Sequence, residues 1–86
     1  MSLEYYRKRL VELRAQVTKE REAKKKDNER YAAYVKNASS PSSKASYRKQ
    51  KIDHATCHDR RIESLKREIE RTRETIKRER ERAKRK

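Results

Sequence analysis

The chain has 86 residues, enough for at most one small domain and too few to surround an active site with several layers of structure. Its 28 Lys and Arg against 14 Asp and Glu give a net charge of +14, which should attract nucleic acids, acidic proteins or anionic lipid surfaces. Charged residues make up 49% of the chain and hydrophobic residues 30%, a balance that also occurs in disordered proteins, but the absence of Gly and the single Pro favour long helices.

Cysteine usage and the N-terminal sequence bear on the location of the protein. Cys57 is the one cysteine, so no internal disulfide can form and a reducing compartment is the simpler expectation. The opening MSLEYYRKRL lacks the apolar run of a signal peptide, and no stretch of the sequence is apolar enough for a membrane span. We therefore expect a cytoplasmic protein, with export by a dedicated non-classical route as the alternative.

The first predicted element is a helix over about residues 3–36. Ser2 can cap its N-terminus, and Glu4 is placed favourably near the positive end of the helix dipole. Apolar residues recur at heptad spacing at both ends of this helix, whereas the same positions in its middle are polar. The apolar positions are Leu3, Tyr6, Leu10, Leu13, Val17, Tyr31 and Tyr34, and the polar ones are Glu20, Lys24 and Asp27.

A serine-rich break follows, over about residues 37–43. It contains four serines and the only proline, and it carries no charge. Pro41 is tolerated in the first turn of a helix but not inside one, and Ser40, Ser42 or Ser43 could cap the next helix. We expect that helix to start near residues 41–44 and to occupy about residues 44–83, followed by a basic C-terminal end.

The second helix has a thinner apolar seam, formed by Ile62, Leu65, Ile69 and Ile76, with Ile52 one position off the spacing. Both helices rise equally per residue, so folding the chain back at the serines places residue n opposite about residue 82 − n. The apolar stretches of the two arms then coincide. The sequence therefore predicts an all-α fold, an antiparallel two-helix hairpin that resembles a coiled coil.

The same register brings the polar middle of the first arm level with His58, so we expect an ion-paired or hydrated layer there. About ten apolar side chains would have to offset the conformational entropy of about 80 ordered residues, which leaves a lone hairpin marginal. We therefore expect a second hairpin, from a helical partner or from another copy of the chain, to complete a four-helix bundle.

A cluster of metal-competent side chains lies in the second helix. His54, Cys57 and His58 share one helical face, and Asp27 or Asp53 could add an oxygen ligand. The spacing matches no standard zinc site, and the alternative is a polar seam residue, His58, beside a partly buried Cys57. Cys57 as a nucleophile would need an oriented base and oxyanion donors, which a thin hairpin does not offer, so we predict neither an enzyme nor a cofactor.

Basic residues are concentrated near both ends of the chain and in one run within the first helix. They could contact phosphates of a nucleic acid, or they could be the solvated, salt-laced faces of ordinary long helices. Tyr5 and Tyr6 adjoin one of these groups and could stack on bases, although Tyr6 is also a seam position. The candidate polyanion-binding residues are Arg7, Lys8, Arg9, Lys24, Lys25, Lys26, Lys77, Arg78, Arg80, Arg82, Lys84, Arg85 and Lys86.

The opening residues Met1-Ser2-Leu3-Glu4-Tyr5-Tyr6, the heptad leucines and the helix-turn-helix outline resemble the small helical hairpins of bacterial type VII secretion, including those that accompany secreted toxins. The resemblance implies a hairpin that pairs with a second hairpin and acts as an adaptor, targeting factor or chaperone. The turn from Asn37 to Ser43 contains no Trp or Gly, so the WxG motif of those systems is missing.

Two functions are compatible with these features. The first is binding of a helical partner protein through the apolar seam, with the basic faces favouring an acidic partner surface. The alternative is a basic helical protein that binds nucleic acid by contacting phosphates.

Overall fold

The computed structural model describes residues 2–85, and Met1 and Lys86 lie outside the described residues. Helix α1 spans Leu3–Asn37 and helix α2 spans Pro41–Arg85. The two helices pack against each other, and residues 2–85 contain no strand. The prediction of an all-α helical hairpin is confirmed.

Helix α1 begins where a side chain can satisfy its first amide groups. The backbone of Ser2 is extended, and its Oγ accepts a hydrogen bond from the amide of Tyr5 at 3.4 Å. Glu4 lies in the first turn and Lys36 in the last, so each charge opposes the partial charge of the nearer helix end. Ala38 is extended again, and α1 ends one residue before it.

The connection is shorter than the serine-rich segment from which it was predicted. Only Ala38–Ser40 separate the helices, because Ser42 and Ser43 already belong to the first turn of α2. The Oγ of Ser40 accepts a hydrogen bond from the amide of Ser43 at 3.1 Å, and the carbonyl of Ser40 accepts one from the amide of Lys44 at 3.0 Å. Pro41 follows this cap as the first helical residue, where its missing N–H costs nothing.

The pairing of the helices follows the register expected from the sequence. Arg9 donates a hydrogen bond to Glu68 near the open end, and the rings of Tyr34 and Tyr47 lie 5.3 Å apart near the turn. Tyr47 lies within one residue of the position expected opposite Tyr34, whereas the long side chain of Arg9 reaches Glu68, about one turn from the expected position. Equal rise per residue in two straight helices is sufficient to produce this antiparallel register.

The buried core between the helices is small. Leu13 is completely buried, and one polar residue, His58, is buried among the apolar ones. The other buried side chains are Val17, Ile62 and Ile76. Several seam residues keep part of their surface in water: Leu3, Tyr6, Leu10, Tyr31, Leu65 and Ile69.

Two expectations about individual side chains need correction, those for Ile52 and Cys57. Ile52 is 65% exposed and lies outside the seam, because it stands one residue off the heptad spacing, about 100° around the helix. Tyr34 is not among them, because its ring contacts Tyr47 across the seam while 44% of its surface stays exposed. Cys57 is exposed rather than partly buried, since it precedes the inward-facing His58 by one position.

The molecule is a rod of 70 × 14 × 13 Å. Its length is set by α2, whose 45 residues exceed the 35 of α1. In the observed register Leu3 lies level with about residue 79, so residues 80–85 extend beyond α1 by roughly 9 Å. Neither helix contains, within residues 2–85, a segment long and apolar enough to cross a membrane.

Candidate functional site

A charged layer crosses the seam at mid-length, between the two apolar stretches. We call it the His58 layer, and it consists of Glu20, Lys24, Asp27, His58 and Asp59. His58 Nδ1 lies 2.6 Å from Glu20 Oε1, and His58 Nε2 lies 2.6 Å from Asp27 Oδ2. One imidazole on α2 therefore bridges two carboxylates that stand two turns apart on α1.

The layer is continued outward by further ion pairs. Lys24 Nζ donates a hydrogen bond to Asp59 Oδ1 at 2.6 Å and so forms a second link between the helices. Arg61 Nη1 lies 3.4 Å from Glu20 Oε1, across the seam, whereas Arg30 pairs with Asp27 within α1 at 2.7 Å. The ion-paired layer expected at mid-length is therefore present.

The contacts of the layer change the acidity of its members. Hydrogen bonds to Asp27 and Glu20 raise the pKa of His58 above its ordinary value of 6.5, although burial alone would lower it. The hydrogen bond from His58 lowers the pKa of Glu20 below 4.5, and Arg61 acts in the same direction. The pKa of Asp27 is lowered below 3.8, first by His58 and then by the charge of Arg30.

The candidate metal ligands do not assemble around a common point. His58 uses both ring nitrogens on carboxylates, while His54 Nε2 lies 3.0 Å from the hydroxyl of Tyr31. Cys57 is on the exposed side of α2. Among residues 2–85 no group of three or more His, Cys, Asp or Glu side chains could hold a metal ion. These histidines therefore have hydrogen-bonding roles within the hairpin.

Apolar seam residues line two surface grooves. The first groove lies at the open end, where Leu10 and Ile76 are surrounded by charged side chains of both signs. The cations exceed the acids in its rim, which consists of Arg7, Arg73, Lys77, Arg80, Lys84, Glu70, Glu74 and Glu81. We call this the open-end groove.

The second groove lies nearer the middle of the rod. Leu65 is its apolar residue, and Gln16 and Ser64 supply uncharged polar groups. Lys19, Arg61 and Glu20 complete its rim, so cations again outnumber acids. We call it the Leu65 groove. In both grooves apolar surface is accessible beside an excess of positive charge.

The candidate polyanion-binding residues differ in how freely they could meet a ligand. Lys24 is half-buried and ion-paired with Asp59, Arg9 pairs with Glu12 and Glu68, and Arg82 pairs with Glu79. Lys86 lies outside the described residues. Arg82 is nevertheless exposed, as are Arg7, Lys8, Lys25, Lys26, Lys77, Arg78, Arg80, Lys84 and Arg85.

Sequence reasoning placed a polar layer at this height but missed how it is connected. It put His58 level with Lys24, whereas the imidazole actually reaches Glu20 and Asp27, one turn to either side. The spacing of those two acids, with Lys24 between them on the same face, is the signal that could have indicated a histidine clamp. The grooves carried no such signal, because their rims combine residues from both helices.

Comparisons with protein-family models, with curated proteins and with solved structures found no match for this chain. The resemblance to type VII hairpins therefore stays a prediction.

Proposed function

We propose that this protein is a binding module for an acidic helical protein, which it accompanies as an adaptor, targeting factor or chaperone of the type VII kind. The observation that supports the proposal is that apolar seam residues remain accessible in grooves whose rims carry excess positive charge. A complementary partner helix would present an apolar ridge flanked by carboxylates.

The thinness of the core supports a docked partner. Within residues 2–85, four apolar side chains are buried between the helices, whereas Leu10, Leu65 and Ile69 keep part of their surface in water. Covering such surface stabilises a complex by about 25 cal/mol per Å² of apolar area. A second hairpin lying on the grooves would cover Leu10 and Leu65 and complete a four-helix bundle.

Charge favours a different protein over a second copy of this chain. Each chain carries +14, so a homodimer would bring two strongly basic rods side by side with only the intervening salt to screen them. An acidic partner gains attraction from the same charges, mainly as faster association. We also propose that the partner is cytoplasmic, because the single cysteine of this chain favours a reducing compartment.

The test has two steps. Proteins that remain bound after a high-salt wash are identified from the native host, and the affinity of the purified candidate is measured by calorimetry. We expect a helical protein of net negative charge whose binding is weakened more than tenfold by Leu65→Ala and unchanged by Ile52→Ala. Leu65 lies in a groove and Ile52 outside the seam, so the two variants form a matched pair.

Three results would contradict this proposal. Equal effects of the two substitutions would remove the grooves from the interface. A stable homodimer in sedimentation would assign the grooves to self-association. A basic or non-helical partner would contradict the proposed match between an acidic helix and the positively charged grooves.

A second candidate function, binding of nucleic acid, is favoured by one specific feature. The end of α2 extends past α1 with four exposed cations, Arg80, Arg82, Lys84 and Arg85. Phosphate contacts release counterions, so such binding should weaken steeply with salt, whereas an apolar helical interface should persist. Gel shifts with mixed DNA and RNA at low and moderate salt distinguish the two functions.

A further inference from the structure

We propose that the His58 layer is a pH-dependent latch, which holds the two helices together at mid-length while His58 is protonated on both ring nitrogens and loosens when one proton leaves. The inference does not depend on the proposed partner. It rests on the position of one buried imidazole between two carboxylates.

The geometry requires both ring protons. Carboxylates only accept hydrogen bonds, and both nitrogens of His58 lie 2.6 Å from a carboxylate oxygen. A neutral imidazole has one N–H, so it could satisfy either Glu20 or Asp27 but not both. The other nitrogen would then point its lone pair at a carboxylate oxygen. At this distance that contact is repulsive, so the proton and the clamp are lost together.

Little water reaches the imidazole itself, since His58 is 8% exposed. The neighbours cannot replace the lost bond to Asp27 either. Arg30 pairs with Asp27 from the same helix and therefore does not join α1 to α2. His54 Nδ1 lies 3.6 Å from Asp27 Oδ2, too long for a strong hydrogen bond.

Two further cations near the imidazole, Lys24 and Arg61, differ in whether they can hold a carboxylate of the layer when His58 is neutral. On α1, Lys24 lies between the two acids, but its ammonium is directed to Asp59 on α2 at 2.6 Å. On α2, Arg61 reaches Glu20 at 3.4 Å and would keep that one link when His58 is neutral. Release of the proton therefore frees mainly the Asp27 side of the layer, toward the turn.

The direction of the pH dependence follows from linkage. The two carboxylates raise the pKa of His58 above 6.5, so the folded hairpin holds this proton more tightly than the unfolded chain. The stabilisation is complete below 6.5 and is lost as the pH rises through the raised pKa. The latch is thus closed in mildly acidic solution and opens toward alkaline pH.

Nuclear magnetic resonance of the full chain, with ¹⁵N-labelled histidine, tests the latch directly. The chain has two histidines, and the His54→Gln variant assigns their signals. We expect the midpoint of His58 to lie at higher pH in the folded protein than in urea, with both nitrogens protonated below it. A folded midpoint equal to or below the one in urea would overturn the proposal.

Two substitutions separate the latch from a merely structural role. Glu20→Gln and Asp27→Asn each remove one carboxylate charge, and each should lower the midpoint of His58 in the folded protein. Thermal unfolding between about pH 6 and pH 9 gives a second measurement. The melting temperature of the wild type and of His54→Gln should fall over this range more than that of His58→Gln.

If the melting temperatures of the wild type and His58→Gln fell equally between low and high pH, that result would also overturn the latch. If His58→Gln does not fold, the midpoints of the two carboxylate variants decide alone. Midpoints unchanged from the wild type would then refute the clamp.

Discussion

Replacing Leu13 by alanine is the most direct test of the packing between the helices. Leu13 has no exposed surface, and it lies in the apolar stretch between the open end and the His58 layer. Replacing a buried Leu by Ala costs about 2–5 kcal/mol of stability in well-packed cores. Two helices can close around a gap more readily than a globular core, so we expect the lower part of that range, about 2–3 kcal/mol.

For a chain of this size such a loss lowers the melting temperature by roughly 10–20 °C. Circular dichroism during heating and urea titration would measure it. Alanine is at least as good a helix former as leucine, so reduced stability would have to come from lost packing.

Val11→Ala is the matched control, two residues away on the same helix and 67% exposed in the wild type. We expect a change within about 0.5 kcal/mol. The reasoning about the core is refuted if the two variants melt at the same temperature, because α1 and α2 would then not be held together by this seam.

Three further predictions concern the cap, a surface ion pair and acid stability. Ser40→Ala should destabilise the hairpin by about 0.5–2 kcal/mol in urea titration, because the amide of Ser43 loses its acceptor. Ser42→Ala, at an exposed position, should have little effect. Equal effects of the two substitutions would exclude the cap. A double-mutant cycle on Lys24 and Asp59 should give less than about 1 kcal/mol, decreasing with added salt, and a salt-independent coupling would contradict partial solvent exposure of this pair. The pKa of Glu20 is lowered in the folded protein, so its contribution to stability is present above pH 4.5 and is lost as the pH falls through the pKa of the folded state. Glu20→Gln should therefore flatten the acid side of the profile of stability against pH. An unchanged profile would argue against the bond to His58.

Acid and alkaline limbs together define where the His58 layer is complete. The carboxylates keep their charge above the ordinary values of 4.5 for Glu20 and 3.8 for Asp27, and His58 keeps its proton below 6.5. Between these limits all three groups are charged and all their contacts are made. We therefore expect the latch to contribute most in mildly acidic solution.

The helices, their caps and the register could be read from the sequence. Absence of Gly, heptad spacing around Leu10 and Leu13, and a serine followed by Pro41 are local signals, and helix formation depends mainly on such neighbours along the chain. The antiparallel alignment could be predicted as well, because two helices that leave a short turn rise equally per residue. The extent of the linker was overestimated because Ser42 and Ser43 are compatible with both a turn and a first helical turn.

The tertiary structure decided which side chains are accessible and how the polar layer is joined. Ile52 and Cys57 are exposed because one residue of offset rotates a side chain by about 100°, a difference that composition does not record. The clamp of His58 on Glu20 and Asp27, like the grooves beside Leu10 and Leu65, exists only where atoms from both helices meet. Local propensity acts within one helix, whereas distances between helices depend on how their side chains pack, and the proposed function and the latch both depend on those distances.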